Sequence, residues 1–198
     1  MLLEKLKNYE IYLCSQSPRR RELLKQLDIN FIVASYLPVE EKYPKNIAYE
    51  DIPVFIARKK AEVYSQILKK NRLLITADTI VVCENKILGK PGNKQNAIQM
   101  LKFLSNKKHS VISGVCLQTI KKMHCFTSTT NVWFKELKES EINYYVEKYQ
   151  PFDKAGAYGI QEWIGMTGIE KIEGSYFNVV GLPVEKLYSE LERFLETE

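Results

Sequence analysis

Histidine is scarce in this sequence. Only two, His109 and His124, occur among 198 residues, and they stand far apart in the chain. Histidine clusters for metal binding and Ser/His/Asp triads are therefore poorly supported. Any acid chemistry or metal binding must depend on carboxylates.

Cysteine is also infrequent and shows no CxxC spacing. The four cysteines lie at positions 14, 83, 116 and 125, and three of them fall in apolar or β-branched runs that predict strands. This pattern does not favour a zinc site. It predicts buried free thiols in a protein of a reducing compartment.

Long apolar runs and clusters of positive charge are missing too. No run reaches the roughly 18 residues of a membrane span, and the first ten residues lack the unbroken apolar core of a signal peptide. We therefore expect a cytoplasmic protein with no membrane association. The net charge of +5 suits an anionic ligand, but it is small and spread along the chain, so it does not indicate nucleic acid binding.

The pattern of apolar residues predicts an α/β protein with a mixed sheet flanked by helices. With 45% hydrophobic residues and no clear linker, residues 1–198 are expected to form a single domain. Predicted strands cover residues 11–14, 31–35, 73–82, 109–119 and 123–134, the last two as a hairpin. Predicted helices start near Pro18, Asp51, Asn93, Ser140 and Pro183, and the second extends to about Lys70.

The segment after the first strand has the form of a phosphate-binding turn. Ser17 and Pro18 are typical of the N-cap and first position of a helix. Arginines at 19–21 then lie in its first turn, where cations oppose the helix dipole. A phosphate bound at this N-terminus would make the same arginines favourable. The alternative is a solvated basic turn.

Asp78 is the one carboxylate in an apolar run from Leu73 to Val82. Burying an unpaired carboxylate is costly, so Asp78 needs a cation, hydrogen-bond donors or a proton. This favours a metal-binding or active-site role over a structural turn.

Three further charged residues have both a functional and an ordinary interpretation. Lys60 falls on an apolar row of the second helix, where a lysine can also reach water along its own stem. Glu41 follows Glu40 in a polar connection, and adjacent carboxylates are usually surface charge. Lys90 lies in a loop near the end of a short strand.

The stretch from Pro151 to Pro183 contains six of the nine glycines, together with Gln161 and several aromatic residues. Glycine is used where the backbone turns sharply or approaches another group closely. The stretch is too apolar for a linker. It forms either one wall of a binding site or a tight structural loop.

Taken together, these segments resemble the Maf family of nucleoside triphosphate pyrophosphatases. The resemblance runs from about Ile11 to Leu191, and its motifs are specific in their order and spacing. They comprise Ser15-x-Ser-Pro-Arg-Arg, Glu40-Glu41, Lys60-Ala61, Ala77-Asp78-Thr79, Lys90-Pro91, His109-x-Val111, residues 153–161 and residues 174–183.

The resemblance implies an inosine-triphosphatase-like (Maf/Ham1) fold with two lobes around a cleft, commonly in a homodimer. It implies Mg²⁺-dependent hydrolysis between the α and β phosphates, giving a monophosphate and pyrophosphate. Mn²⁺ or another divalent cation could replace Mg²⁺. An aspartate is a weak base at neutral pH. Asp78 is therefore expected to orient or deprotonate a metal-acidified water that attacks the α-phosphorus in line.

Residue roles follow from the resemblance position by position. The catalytic residues it implies are Asp78, Glu41, Lys60 and Lys90, with Glu41 and Asp78 also tied to the metal. The substrate-binding residues it implies are Ser15, Arg19, Arg20, Thr79 and Gln161.

Within the family, Arg20, Thr79 and Gln161 match the branch that takes dTTP and UTP. A glutamine can offer its C=O to N3–H and its NH₂ to O4 of uracil or thymine, but it discriminates only if a partner holds the amide. Two residues depart from the family pattern. Gln16 and Glu162 stand where glycine is usual, and the second changes the loop and the charge beside Gln161.

Other functions remain open on the sequence alone. The same chemistry could act on CTP or on a modified base. A nucleotide-binding regulator of septum formation is a different class, since the family has been associated with that process. Nucleic acid binding through the first-helix arginines is the least favoured alternative.

Overall fold

The computed structural model describes residues 1–196 of the chain. The helices there are Leu2–Leu6 (α1), Pro18–Gln26 (α2), Ile52–Tyr64 (α3), Lys94–Leu104 (α4), Glu139–Tyr149 (α5), Trp163–Gly168 (α6), Tyr176–Val180 (α7) and Val184–Glu196 (α8). The strands are Glu10–Leu13 (β1), Ile32–Val33 (β2), Arg72–Cys83 (β3), Lys86–Leu88 (β4), Lys108–Gln118 (β5), Met123–Phe134 (β6) and Ile169–Glu173 (β7).

Within these residues the strands form one mixed sheet. Its order is β2-β1-β3-β5-β6-β7, and β4 pairs with β3. β1 runs parallel to β2 and β3, whereas β3–β4 and β6–β7 are antiparallel. The predicted mixed α/β class is confirmed.

By the contacts between its residues, the chain divides into two compact units. Unit 1 comprises residues 1–78, 113–128 and those from 181 onward, and unit 2 comprises residues 79–112 and 129–180. β3, β5 and β6 contribute residues to both units. The predicted single domain with two lobes and a cleft stays a prediction.

In unit 1, α3 packs closely on the sheet. The hydroxyl of Thr76 in β3 donates to the carbonyl of Ala57 in α3 at 2.7 Å. Gly114 of β5 meets the start of α3, where a Cβ would lie 2.1 Å from the backbone nitrogen of Val54. Only glycine permits this approach.

Unit 2 has its own apolar core. The core contains buried side chains from β3 to β6, from α4 and α5, and from the glycine-rich stretch, including Phe134, Tyr145 and Ile164. Inside that stretch, a Cβ on Gly165 would lie 1.8 Å from the carbonyl oxygen of Ile160. At Gly165, therefore, the backbone approaches another backbone segment too closely for any residue with a Cβ.

Several predicted helices are confirmed by their caps and buried faces. Asn93 caps α4 by accepting from the backbone N–H of Asn96 at 2.9 Å. The inward residues predicted for α5 and α8 are all buried: Ile142, Tyr145, Val146, Val184, Leu187, Leu191 and Phe194.

The structure corrects the prediction for other elements. α3 ends at Tyr64, and a short 3₁₀ turn, Ser65–Ile67, follows it, so the predicted extension to Lys70 is wrong. α6, α7 and β7 were not predicted. Each is only five or six residues long and lies among glycines, which leaves too little periodicity to recognise.

The prediction of four free thiols is wrong for one pair. Cys116 and Cys125 form a disulfide with a Cα–Cα distance of 4.1 Å, near the turn between β5 and β6. The backbone N–H of Thr119 donates to the carbonyl of Lys122 in that turn. The turn brings the two thiols face to face across neighbouring strands. Cys14 and Cys83 are buried free thiols, as predicted.

None of the helices in residues 1–196 combines the length and apolarity that a membrane crossing requires.

Candidate active site

Lys60 lies between two carboxylates in unit 1. Its Nζ is 2.7 Å from Asp78 Oδ1 and 2.8 Å from Glu41 Oε1. The side chains of Lys60 and Asp78 are each 15% exposed, whereas that of Glu41 is 57% exposed. Asp78 thus has the cation that its place in an apolar strand requires.

A hydrogen bond joins α3, which carries Lys60, to β3, which carries Asp78, close to both residues. Lys60 lies one turn after Ala57 on α3, and Asp78 lies two residues after Thr76 on β3. The buried hydrogen bond from Thr76 to Ala57 therefore connects the helix of the lysine to the strand of the aspartate. This contact holds the ammonium and the carboxylate in register.

The first motif forms the predicted turn and helix. Ser17 is the N-cap of α2, and its side chain accepts from the backbone N–H of Arg20. Pro18 is the first helical residue, and the first turn contains no acidic residue. The backbone N–H of Ser17 donates to Ser15 Oγ at 3.3 Å, which orders the turn before the helix.

The Arg20 guanidinium points toward protein acceptors in unit 1. Its Nη1 donates to the Ala77 carbonyl at 2.9 Å and to Ser15 Oγ at 3.2 Å, and its Nε donates to the Gly181 carbonyl at 2.8 Å. The side chain therefore connects the first motif to the residue that precedes Asp78.

Burial lowers the pKa of Arg20 below its usual value. The charges of Asp78 and Glu41 oppose this effect, whereas that of Arg19 adds to it. An arginine stays protonated at neutral pH all the same. With Lys60, which contacts both carboxylates, three cations and two carboxylates therefore lie in this part of unit 1.

Gln16, one of the two departures from the family pattern, has a structural contact. Its side-chain Nε2 donates to the Ala34 carbonyl at 3.2 Å, and its own carbonyl accepts from Arg21 Nη2 at 3.0 Å. These bonds tie the turn to the segment after β2. The larger residue is accommodated by an outward contact.

Unit 2 carries the other three predicted site residues. Thr79 is partly buried in β3, and Lys90 is exposed in the loop between β4 and α4. Gln161 is exposed in a four-residue turn, which the backbone N–H of Glu162 closes by donating to the Gly159 carbonyl at 3.0 Å.

Polar side chains surround this turn. The Tyr145 hydroxyl accepts from the backbone N–H of Gly159 at 3.0 Å and donates to Glu162 Oε2 in a short hydrogen bond. Lys154 Nζ lies 3.3 Å from Glu162 Oε1 and 2.9 Å from Asp153 Oδ1. Tyr145, Lys154 and Glu162 thus form a polar cluster beside the turn.

His109 is enclosed in β5 and is 2% exposed. Its Nε2 lies 2.7 Å from the Tyr158 hydroxyl. Burial lowers the pKa of His109 to about 4, so the ring is neutral at neutral pH. These contacts fit the predicted structural role.

The carboxylates suit a metal that arrives with a substrate. Within residues 1–196, no three His, Cys, Asp or Glu side chains are grouped so that they could hold a metal ion by themselves. Asp78 and Glu41 nevertheless meet at the same lysine ammonium. Mg²⁺ commonly takes one or two carboxylates, with phosphate oxygens and water as the other ligands. The residues present fit that arrangement.

Comparison with known proteins identifies the family. Residues 10–194 match the family model described as Maf-like protein. The chain belongs to the Maf-like family. The family resemblance found in the motifs is therefore confirmed.

Named relatives match this chain over their full length. A protein of Bacteroides fragilis named dTTP/UTP pyrophosphatase is 53% identical over 192 residues, which cover 97% of this chain and 100% of the relative. Proteins with the same name from Parabacteroides distasonis and Porphyromonas gingivalis are 52% and 46% identical, over 98% and 99% of this chain and 100% of each relative.

Solved structures give weaker matches. A HAM1 protein from Coxiella burnetii has a TM-score of 0.47 at 16% identity, covering 93% of this chain and 99% of that one. A nucleoside-triphosphatase/dITP/XTP pyrophosphatase from Mycobacterium abscessus has a TM-score of 0.41 at 13% identity, with 95% of each chain covered.

The structure brings some predicted site residues of this Maf-like chain into direct contact. Lys60 contacts Glu41 and Asp78, and Arg20 contacts Ser15. Tyr145 and Lys154 were missed as polar partners of the turn. Tyr145 could have been recognised from the sequence, because it lies on the buried face of a predicted helix and a buried hydroxyl needs a hydrogen-bond partner.

Proposed function

We propose that this Maf-like chain is a nucleoside triphosphate pyrophosphatase that hydrolyses dTTP and UTP to the monophosphate and pyrophosphate. The observation that carries the proposal is Lys60 held between Asp78 and Glu41. This places a cation and two carboxylates together, as a triphosphate with its metal requires. Full-length relatives named dTTP/UTP pyrophosphatase support the choice of nucleotide.

Asp78 orients the attacking water. One of its oxygens binds Lys60 Nζ, so the other oxygen remains to accept from water. The water attacks the α-phosphorus in line with the departing pyrophosphate. The short contact to Lys60 fixes the carboxylate, and a fixed acceptor is more effective than one that must reorganise.

A divalent cation is the cofactor that nucleoside triphosphate pyrophosphatases generally use, and here it is Mg²⁺. Asp78 and Glu41 are the residues that would hold it. When bound, it would neutralise the negative charge of the phosphates and make a bound water more acidic. Mn²⁺ is a chemically acceptable replacement, because it prefers the same oxygen ligands.

The phosphate chain is bound by hydroxyl and cationic groups. Ser15 and Arg19 lie at the N-terminal end of α2, where backbone N–H groups and the helix dipole favour an anion. Lys60 and Lys90 neutralise charge that accumulates on the pyrophosphate leaving group.

The base is read by Gln161, and Arg20 and Thr79 belong to the same substrate-binding set. Arg20 also holds Ser15 Oγ at 3.2 Å, so part of its role is to orient that hydroxyl. Thymine and uracil differ by one methyl group, for which a pocket discriminates by only about 1 to 3 kcal/mol. Both bases should therefore be accepted. The homodimer and the cytoplasmic location stay predictions.

The test is pyrophosphate release from a panel of triphosphates by the purified protein. The panel contains dTTP, UTP, CTP, dCTP, GTP, ATP, ITP and modified-base triphosphates, each with Mg²⁺ and with EDTA. We expect Mg²⁺-dependent release from dTTP and UTP. Release from another base alone would overturn the nucleotide assignment, and no release from folded protein would overturn the enzymatic one.

A further inference from the structure

The Tyr145 hydroxyl connects both ends of the turn that carries Gln161. It accepts from the N–H of Gly159, the first residue of the turn, and donates to the carboxylate of Glu162, the fourth. Gln161 is the third residue. A single buried hydroxyl on α5 therefore fixes the turn at its two ends.

Glu162 has a second buried partner. Lys154 Nζ lies 3.3 Å from Glu162 Oε1, and the two side chains are 10% and 19% exposed. Losing one member of a buried ion pair is destabilising, because the other charge is left uncompensated. Burial, followed by the hydrogen bond to Glu162, raises the pKa of Tyr145 well above its usual value, so the hydroxyl remains a donor.

The Gln161 amide and the Glu162 carboxylate both lie beside Gly159. A Cβ built on Gly159 would be 3.1 Å from Gln161 Nε2 and 3.0 Å from Glu162 Oε2. The bare Cα of Gly159 thus lets both groups approach the same point. A carboxylate there favours the amide orientation with NH₂ rather than C=O toward it.

Orientation of this amide decides what it can recognise. Uracil and thymine present a donor at N3 and an acceptor at O4, whereas cytosine presents the reverse pattern. An amide that flips freely matches either base, whereas one held in a single orientation matches only one.

We propose that Glu162 is a positioning residue that, with Tyr145 and Lys154, fixes the Gln161 turn and sets its selectivity for uracil and thymine over cytosine. The proposal rests on the proposed function, and it deepens the account of base choice. Glu162 acts through Gln161 and does not take part in the hydrolytic step. Its presence at a position where the family usually has glycine then has a specific consequence for this chain.

The experiment compares kcat/KM for dTTP and dCTP within one preparation of each variant. The ratio of the two values does not depend on the fraction of folded enzyme. In Glu162→Ala we expect the dTTP/dCTP ratio to fall about tenfold, mainly through a higher KM for dTTP, with kcat changed less than about twofold. Tyr145→Phe should lower the ratio in the same direction, because it removes the contact at both ends of the turn.

Two variants act as controls. Glu162→Gln can still accept from Tyr145 but lacks the charge, so its ratio should lie between those of wild type and Glu162→Ala. Glu136→Ala removes an exposed glutamate of the same unit and should leave the ratio unchanged. An unchanged ratio in folded Glu162→Ala would overturn the proposal.

Amide hydrogen exchange provides a readout that does not need turnover. Two backbone N–H groups report on the turn. That of Gly159 donates to the Tyr145 hydroxyl, and that of residue 162 donates to the Gly159 carbonyl. Both should exchange about tenfold faster in Glu162→Ala than in wild type. Unchanged exchange would overturn the positioning role. If wild type hydrolyses neither dTTP nor UTP, the proposed function fails, and the exchange result still decides whether Glu162 fixes the turn.

Discussion

Lys60 Nζ lies 2.7 Å from Asp78 Oδ1, with both side chains 15% exposed. The two residues are eighteen positions apart in sequence, and their contact joins α3 to β3. In a partly buried setting each group depends on the other, because an isolated charge there would be costly. Removing either partner should therefore impair the other.

Asp78→Asn should reduce pyrophosphate release from dTTP by about a thousandfold or more, because a neutral amide is a weaker metal ligand and a weaker acceptor for the attacking water than a carboxylate. The measurement is kcat with saturating Mg²⁺. The matched control is Asp28→Asn, an exposed aspartate with φ 56°, a conformation that asparagine tolerates. Wild-type turnover in Asp78→Asn with normal metal dependence would show that the catalytic assignment is wrong.

Lys60→Met should reduce kcat by about a hundredfold or more, because it removes a cation from the site and leaves two carboxylates without their shared partner. Methionine keeps the length and apolar stem of lysine, so packing of α3 should survive. Lys70→Met, at an exposed position, is the control. Equal loss in both variants would contradict a specific role for Lys60.

His109 should make stability fall as the pH is lowered. Its pKa is about 4 in the folded protein, below the unfolded value of 6.5, so between these values only the unfolded chain binds the proton. The contribution of neutral His109 to the free energy of unfolding is therefore full above pH 6.5 and is lost as the pH falls toward 4. At pH 5 the loss relative to pH 8 should reach about 2 kcal/mol.

The measurement is urea unfolding at pH 8 and pH 5 for wild type and His109→Gln. Glutamine can still bond the Tyr158 hydroxyl but does not titrate. Other groups contribute equally to both proteins, so the pH-dependent loss should be smaller in the variant. An equal loss in both would show that His109 does not cause it.

The Cys116–Cys125 disulfide should be detectable by thiol counting. In denaturant without reductant, two of the four cysteines should react, and after reduction all four should react. The bond closes a loop with a sequence separation of 9 residues, so reduction should lower the free energy of unfolding by about 2 to 3 kcal/mol. Four reactive thiols before reduction would contradict the disulfide and restore the prediction of free thiols.

Local sequence patterns were sufficient for elements with caps or a clear apolar face. Asn93 marks the start of α4, and Leu187 and Leu191 mark the buried face of α8. The same patterns failed for α6, α7 and β7, since these elements are short and receive their stability from packing.

Sequence motifs alone were enough to identify the family and the α/β class, and they predict which residues carry the chemistry. It also marked Asp78 as a carboxylate in need of a partner and Glu162 as a departure beside Gln161. The pairing of Lys60 with Asp78, and of Tyr145 and Lys154 with Glu162, became apparent only in the folded structure. These contacts join residues that belong to different elements or loops of the fold. Local propensity fixes where each side chain lies on its own helix or strand, but packing decides which polar groups meet.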